Sequence, residues 1–240
     1  GKISSLDGIW PIAALLILPS FLVIIQPDFD AALAYMFCAA VVGFLAGLPM
    51  IYFLAGAGAV AVLAPIVFFF GLRPYQQDRV LIFLNPENDP LGAGYHITQS
   101  KIAIGSGGIF GKGFGNGTQS HLDYLPEGHT DFIFATMAEE WGIAGGLFIL
   151  FLYGLLMRWG MGVAMQSRTR YGQLVAAGMT CTIFFYIMIN LLMVVGFAPV
   201  AGLPLPFVSH GGSSMLTMMI CIGLIMSIER HPGPKRGQFT

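Results

Sequence analysis

Three carboxylates, Asp131, Glu139 and Glu140, stand within ten positions at the point where this chain changes character. The polar stretch Gln119-Ser-His-Leu-Asp-Tyr-Leu-Pro-Glu-Gly-His-Thr-Asp131 gives way at Phe132 to an apolar run. A carboxylate at such a boundary can work as a general base, because partial desolvation raises its basicity. It can equally serve as a cap, since Thr130 and Asp131 both suit a helix start and the helix dipole favours an anion there. Spacing leaves both roles open. His129 is a second base or an ordinary loop residue. Glu139 and Glu140 fall ~12 Å further along the helix, Glu139 about 80° and Glu140 about 180° around it from Asp131. Only Glu139 can therefore share a polar face with Asp131. A carboxylate inside an apolar helix is a functional candidate, or it pairs with a polar group on a neighbouring helix, such as Asn190.

Other groupings carry weaker signals. Seven glycines between positions 105 and 117 surround Lys112. A nucleotide-binding loop is excluded, because Ser106 stands where that motif needs Gly and Lys112 is followed by Gly rather than Ser or Thr. The run offers instead a flexible or closely packed backbone track, with N–H groups and Lys112 available to a diphosphate. Pro199, Pro204 and Pro206, followed by Gly211-Gly-Ser-Ser214, suggest a re-entrant turn packed in protein and ending at a helix start. Ser209 beside His210 lacks the nucleophile-elbow pattern of a hydrolase. Cys38, Cys181 and Cys221 lie in apolar runs without metal-ligand or CxxC spacing, and read as small buried hydrophobes.

The elements that must position these groups follow from composition. Of 240 residues, 56% are hydrophobic and 10% charged, with mean hydropathy +0.77; soluble domains carry about 25% charged residues. The fold class this implies is an all-α integral membrane protein, a polytopic helix bundle forming a single domain over residues 1–240. Net charge is −1, which leaves no basic field for a nucleic-acid backbone. Apolar runs at 9–25, 31–47, 50–72, 132–159, 172–197 and 215–228 predict six spans. So many runs leave too little polar surface for a soluble globule. Between the third and fourth spans, residues 73–131 form a loop too long for a plain connection. Its Ile97, Lys101 and Ile104 suit a short amphipathic helix at the membrane surface, so a folded, membrane-hugging loop is expected. Arg158, Arg168 and Arg170 share one side, by parity, with Arg230, Lys235 and Arg236; their excess makes that side cytoplasmic and the loop 73–131 extracytoplasmic. The start at Gly1 rather than Met, without a signal-peptide pattern, reads as an internal start.

Several long motifs resemble those of the SEDS (shape, elongation, division and sporulation) family. They are Gln26-Pro-Asp28, Asn85-Pro-Glu-Asn-Asp-Pro-Leu-Gly-Ala-Gly-Tyr-His-Ile-Thr-Gln-Ser-Lys-Ile-Ala-Ile-Gly-Ser-Gly-Gly108, Gly117-Thr-Gln-Ser120, Leu125-Pro-Glu-Gly-His-Thr-Asp-Phe-Ile-Phe134 and Pro204-Leu-Pro-Phe-Val-Ser-His-Gly-Gly-Ser-Ser214. They occur in family order over essentially the whole chain, with His210 where Tyr is commoner, and their wording is closer to the elongation member RodA than to the division member FtsW. The resemblance implies ten transmembrane helices, of which about the first four are absent here. It further implies peptidoglycan glycosyltransfer on lipid II in the bacterial inner membrane, with a class B penicillin-binding protein as transpeptidase partner. Asp131 matches the family's essential loop aspartate, expected as general base on the acceptor sugar hydroxyl. The leaving diphosphate then needs cations, for which Arg73, Arg79, Lys101 and Lys112 are the candidates on that face; a divalent cation could assist. Asp123, Glu127, His129 and Glu139 are secondary substrate-positioning candidates. A lipid II flippase using Glu139 and the bundle cavity is the rival reading.

Overall fold

The computed structural model describes residues 29–71, 74–84, 92–121 and 128–231, together with residues 19 and 22. All but two positions of the first expected span, 9–25, lie outside the described residues. Eight helices and no strand occur among the described residues: α1 Phe29–Ala46, α2 Met50–Phe70, α3 Pro74–Leu84, α4 Ala93–Ser106, α5 Thr118–His121, α6 Ile133–Gln166, α7 Arg170–Val194 and α8 Gly212–Arg230. Helices α2, α6, α7 and α8 are long and apolar enough to cross a membrane, whereas the apolar part of α1, Ala31–Ala46, is shorter. The long connection expected over residues 73–131 holds three helices, α3, α4 and α5, and the expected short helix around Ile97 and Lys101 is α4. In α4, Ile97, Ser100 and Ala103 are buried while Lys101 and Ile102 are exposed.

The chain divides into two compact units. The first comprises Gly1–Gly71, Trp159–Phe185 and Ile220–Thr240. Small residues let its helices approach closely. A Cβ at Gly178 would press on Val42, and one at Gly160 would collide with the Thr180 side chain. Phe37 and Phe185 pack with ring centroids 4.9 Å apart. No described side chain of α2 is buried, so its apolar surface, including Ile51, Leu54, Val62 and Phe69, faces outward on all sides. In water that surface would be costly; against lipid it is not.

The second unit comprises Leu72–Arg158 and Tyr186–Met219, and it contains Asp131, Glu139, the glycine run and the Pro-rich connection. Helix α4 docks on the end of α7, where the buried Ser100 hydroxyl donates to the Val194 carbonyl at 2.7 Å.

Candidate active site

Asp131 lies in a turn just ahead of α6, partly exposed. The amides of Ala135 and Thr136 donate to the Phe132 carbonyl at 2.9 and 3.3 Å, which puts the cap position at Phe132 rather than at Asp131 or Thr130. Three hydrogen bonds from the end of α7 and the connection after it hold this turn by its backbone. Asn190 Nδ2 donates to the Asp131 carbonyl at 2.8 Å, the Ser209 hydroxyl donates to the Thr130 carbonyl at 2.6 Å, and the His210 amide donates to the His129 carbonyl at 3.0 Å. The connection is itself tied down. Asn190 Nδ2 also donates to Leu203 O at 2.8 Å, Ser209 Oγ accepts from the Leu205 amide at 2.7 Å, and Tyr153 donates to Pro206 O at 2.6 Å. The expected packed turn is thus present between α7 and α8, with Ala201, Leu203, Leu205, Pro206 and Ser209 buried. A Cβ added at Gly202 would sit 3.9 Å from Asp131 Oδ2, so the carboxylate lies along a stretch of bare backbone.

Glu139 is fully buried and is not a partner of Asn190. It accepts from Lys112 Nζ at 2.7 Å, from the Thr118 hydroxyl at 3.1 Å and from the Gln119 amide at 3.0 Å. A charge removed from water needs such a set of donors. The alternative pairing with Asn190 is not realised, and donors to the Glu139 carboxylate come from Lys112 in the glycine run and from the start of α5. At Gly142 the backbone leaves helical geometry (φ 69°, ψ −166°), and the freed polar groups bond to the glycine run instead. The Lys112 and Gly113 amides donate to the carbonyls of Glu139 and Glu140, both at 3.0 Å, while the amides of Ile143 and Ala144 donate to the carbonyls of Gly108 and Ile109 at 2.9 and 3.1 Å. Side chains would not fit in this contact: a Cβ at Gly107 would strike Ala138 O, and one at Gly111 would strike Glu140 O. The glycines are there for close approach, and the N–H groups of Lys112 and Gly113 are engaged with helix carbonyls.

The remaining candidates are placed unevenly. Lys101 is exposed on α4, its ammonium lying over Gly196, where any Cβ would meet Lys101 Cε. His129 is exposed. Arg79 falls within α3, its side chain outside the described residues, and Arg73, Asp123 and Glu127 are outside them altogether. Among the described residues, no group of three or more His, Cys, Asp or Glu is gathered as a metal site would be. Sequence reasoning gave no role to Ser209 or Gly142, and offered Asn190 only as one alternative partner for an intramembrane carboxylate. A lone Asn in an apolar run was the available signal, but it does not say which backbone it holds. His96, stacked on Phe132 with ring centroids 6.0 Å apart, was also missed.

A family model described as "Cell cycle protein", covering FtsW, RodA and SpoVE, matches residues 2–233. The chain belongs to this family. With its long apolar helices, it is an all-α integral membrane protein. It is 47% identical over 217 residues to the peptidoglycan glycosyltransferase MrdB of Escherichia coli K12, covering 90% of this chain and 59% of that one. It is 48% identical over 158 residues to the peptidoglycan glycosyltransferase RodA of Treponema pallidum, covering 66% of this chain and 36% of that one. The chain thus spans 59% of the length of its E. coli relative. Among solved structures, one described as the structural coordination of polymerization and crosslinking by a peptidoglycan synthase complex matches with TM-score 0.80 and 34% identity, over 96% of this chain and 64% of that one. Thermus thermophilus RodA matches with TM-score 0.65 and 28% identity, over 98% of this chain and 60% of that one.

Proposed function

We propose that the intact protein carrying this sequence is a peptidoglycan glycosyltransferase that polymerises lipid II during cell elongation, with Asp131 as general base. The observation that carries the reading is the backbone clamp on residues 129–131, in a chain whose relatives are named for that activity. A base must be held within about 0.5 Å of its working position, and a turn fixed by three donors from two other segments meets that need. In the reaction, Asp131 takes the proton of the acceptor GlcNAc 4-hydroxyl as that oxygen attacks the donor MurNAc anomeric carbon. A new C–O bond forms with inversion, the bond to the diphosphate breaks, and undecaprenyl diphosphate leaves with the electron pair. Of the proposed cations, Lys101 is better placed than Lys112 to meet the leaving charge, because Lys112 is already neutralised by Glu139. The same pair weakens a flippase route through Glu139, whose carboxylate is occupied by loop donors.

The whole chain, 1–240, acts in this reading as one polytopic membrane domain, with 73–131 extracytoplasmic, the C-terminus cytoplasmic and a class B penicillin-binding protein as partner. The test is lipid II polymerisation by the intact protein with that partner. Asp131→Asn is expected to lower the rate by about 10²–10⁴-fold, the range of general-base contributions. Wild-type rate in that variant would overturn the mechanism.

A further inference from the structure

Within the first compact unit, the end of α1, the end of α6 and the start of α7 surround a groove of about 300 Å³. Leu45, Met161, Met165 and Leu174 give it apolar walls, and Arg170 and Gln173 stand in its lining. Arg170 Nη2 donates to the carbonyls of Leu45 and Ala46 at 3.0 and 3.4 Å, the last turn of α1, where carbonyls lack helical partners. Those bonds orient the guanidinium but leave its charge unneutralised, since carbonyls carry only partial charge. Among the described residues no carboxylate pairs with Arg170, and Glu229, an acid of the same unit, accepts instead from Trp159 Nε1 at 3.2 Å. Most of the five guanidinium donors are therefore still available. Gln173 is not, because its amide donates to Ser167 O at 2.9 Å.

The groove combines two chemistries in one order: a fixed cation at the helix ends and an apolar trough running alongside it. Tyr171, exposed next to Arg170, and Trp159, within two turns of the end of α6, mark that end as a membrane–water boundary. We propose that the groove binds an anionic glycerophospholipid, its phosphate on Arg170 and part of one acyl chain against Met161, Met165 and Leu174. The volume is at the small end for ligand sites, about 300–1,000 Å³, so it holds part of a chain rather than a whole lipid. A basic pocket between helices at a membrane surface is the expected form of headgroup recognition. A soluble anion would satisfy Arg170 but leave the apolar walls unused. The proposal is independent of the glycosyltransferase reading.

The test compares phosphatidylglycerol with phosphatidylcholine added to the intact protein in detergent, reading Tm and the lipid retained after purification. Phosphatidylglycerol is expected to raise Tm and to stay bound where phosphatidylcholine does not. Arg170→Gln removes the charge while keeping a polar amide at the position, and is expected to weaken retention about fivefold. Leu174→Trp fills the trough with Arg170 intact and is expected to reduce retention as well; it decides the matter if Arg170→Gln does not fold. Equal effects of the two lipids on the wild-type protein, or wild-type preference in either folded variant, overturns the site. A Tm rise from inorganic phosphate matching that from phosphatidylglycerol overturns its assignment to lipid.

Discussion

One amide group, Asn190 Nδ2, serves two carbonyls in separate segments, Asp131 O and Leu203 O, each at 2.8 Å. Asn190 is fully buried, so no water replaces it when it is removed. Asn190→Ala removes one donor from each of the two carbonyls, at about 1–3 kcal/mol for a buried group left unsatisfied. The variant is expected to lower Tm and to reduce kcat for lipid II polymerisation more than it raises KM, because the substrate contacts survive while the base loses its fixed position. Asn190→Asp is expected to be worse, since it sets a carboxylate oxygen against two carbonyl oxygens. Thermal unfolding and steady-state kinetics on the same preparations check both; unchanged Tm and rate in Asn190→Ala would remove its positioning role. Gly202 gives a complementary case. Its added Cβ would make only ordinary contact with Asp131 Oδ2, at 3.9 Å, and the position is exposed. Gly202→Ala is therefore expected to keep activity, whereas Gly202→Leu crowds the carboxylate and lowers activity with little change in Tm.

Helix α6 works as two pieces joined at Gly142, and the glycine run forms the joint. The piece after the break, residues 143–166, is about 36 Å long at ~1.5 Å per residue and can cross ~30 Å of hydrocarbon by itself. Glu139 and Glu140 belong to the shorter piece, which relieves them of the deep apolar setting that an unbroken helix implies. Lys112 closes the joint. Lys112→Ala takes the ammonium away from the buried Glu139 carboxylate and is expected to cost about 3 kcal/mol, the lower end for breaking a buried pair, because the lysine is 26% exposed and the Thr118 and Gln119 donors remain. Adding Glu139→Gln to it is expected to restore part of that loss, giving a favourable coupling in a double-mutant cycle read by thermal unfolding. Much of this architecture was legible in the sequence. Apolar runs announce α1, α2, α6, α7 and α8 because lipid selects continuous hydrophobicity, and Asp131 stands out as a charge at a run's edge. The Lys112–Glu139 pair was not legible, because it joins positions 27 apart, one in the glycine run and one in α6. A single glycine at 142 does not announce the break in α6 among the many glycines of a membrane chain. The role of Ser209 was hidden for a related reason: it acts on backbone, and backbone partners leave no mark in sequence.

For the molecule as a whole, everything proposed for Asp131 depends on the side of the membrane it faces, and charge distribution is the basis of the orientation proposed for it. Arg158, Arg168 and Arg170 flank the connection from α6 to α7, and Arg230 ends α8, whereas the candidate site lies at the opposite ends of these helices, at the start of α6 and the end of α7. In the orientation proposed above, the Lys and Arg excess is cytoplasmic and Asp131 faces outside, where lipid-linked sugars but no nucleotides are available as donors. Replacing Cys38, Cys181 and Cys221 with Ala clears the chain of native thiols, after which single cysteines can report the side of each connection. Thr169 and Phe114 are suitable positions, exposed in the α6–α7 connection and in the glycine run respectively. In intact cells whose outer barrier has been opened, a membrane-impermeant maleimide is expected to label a cysteine at 114 and to leave one at 169 unlabelled until the inner membrane is breached. The reverse pattern would put Asp131 in the cytoplasm, where it could not be the base of an extracytoplasmic polymerase, and would remove the proposed activity however well the turn around Asp131 is held.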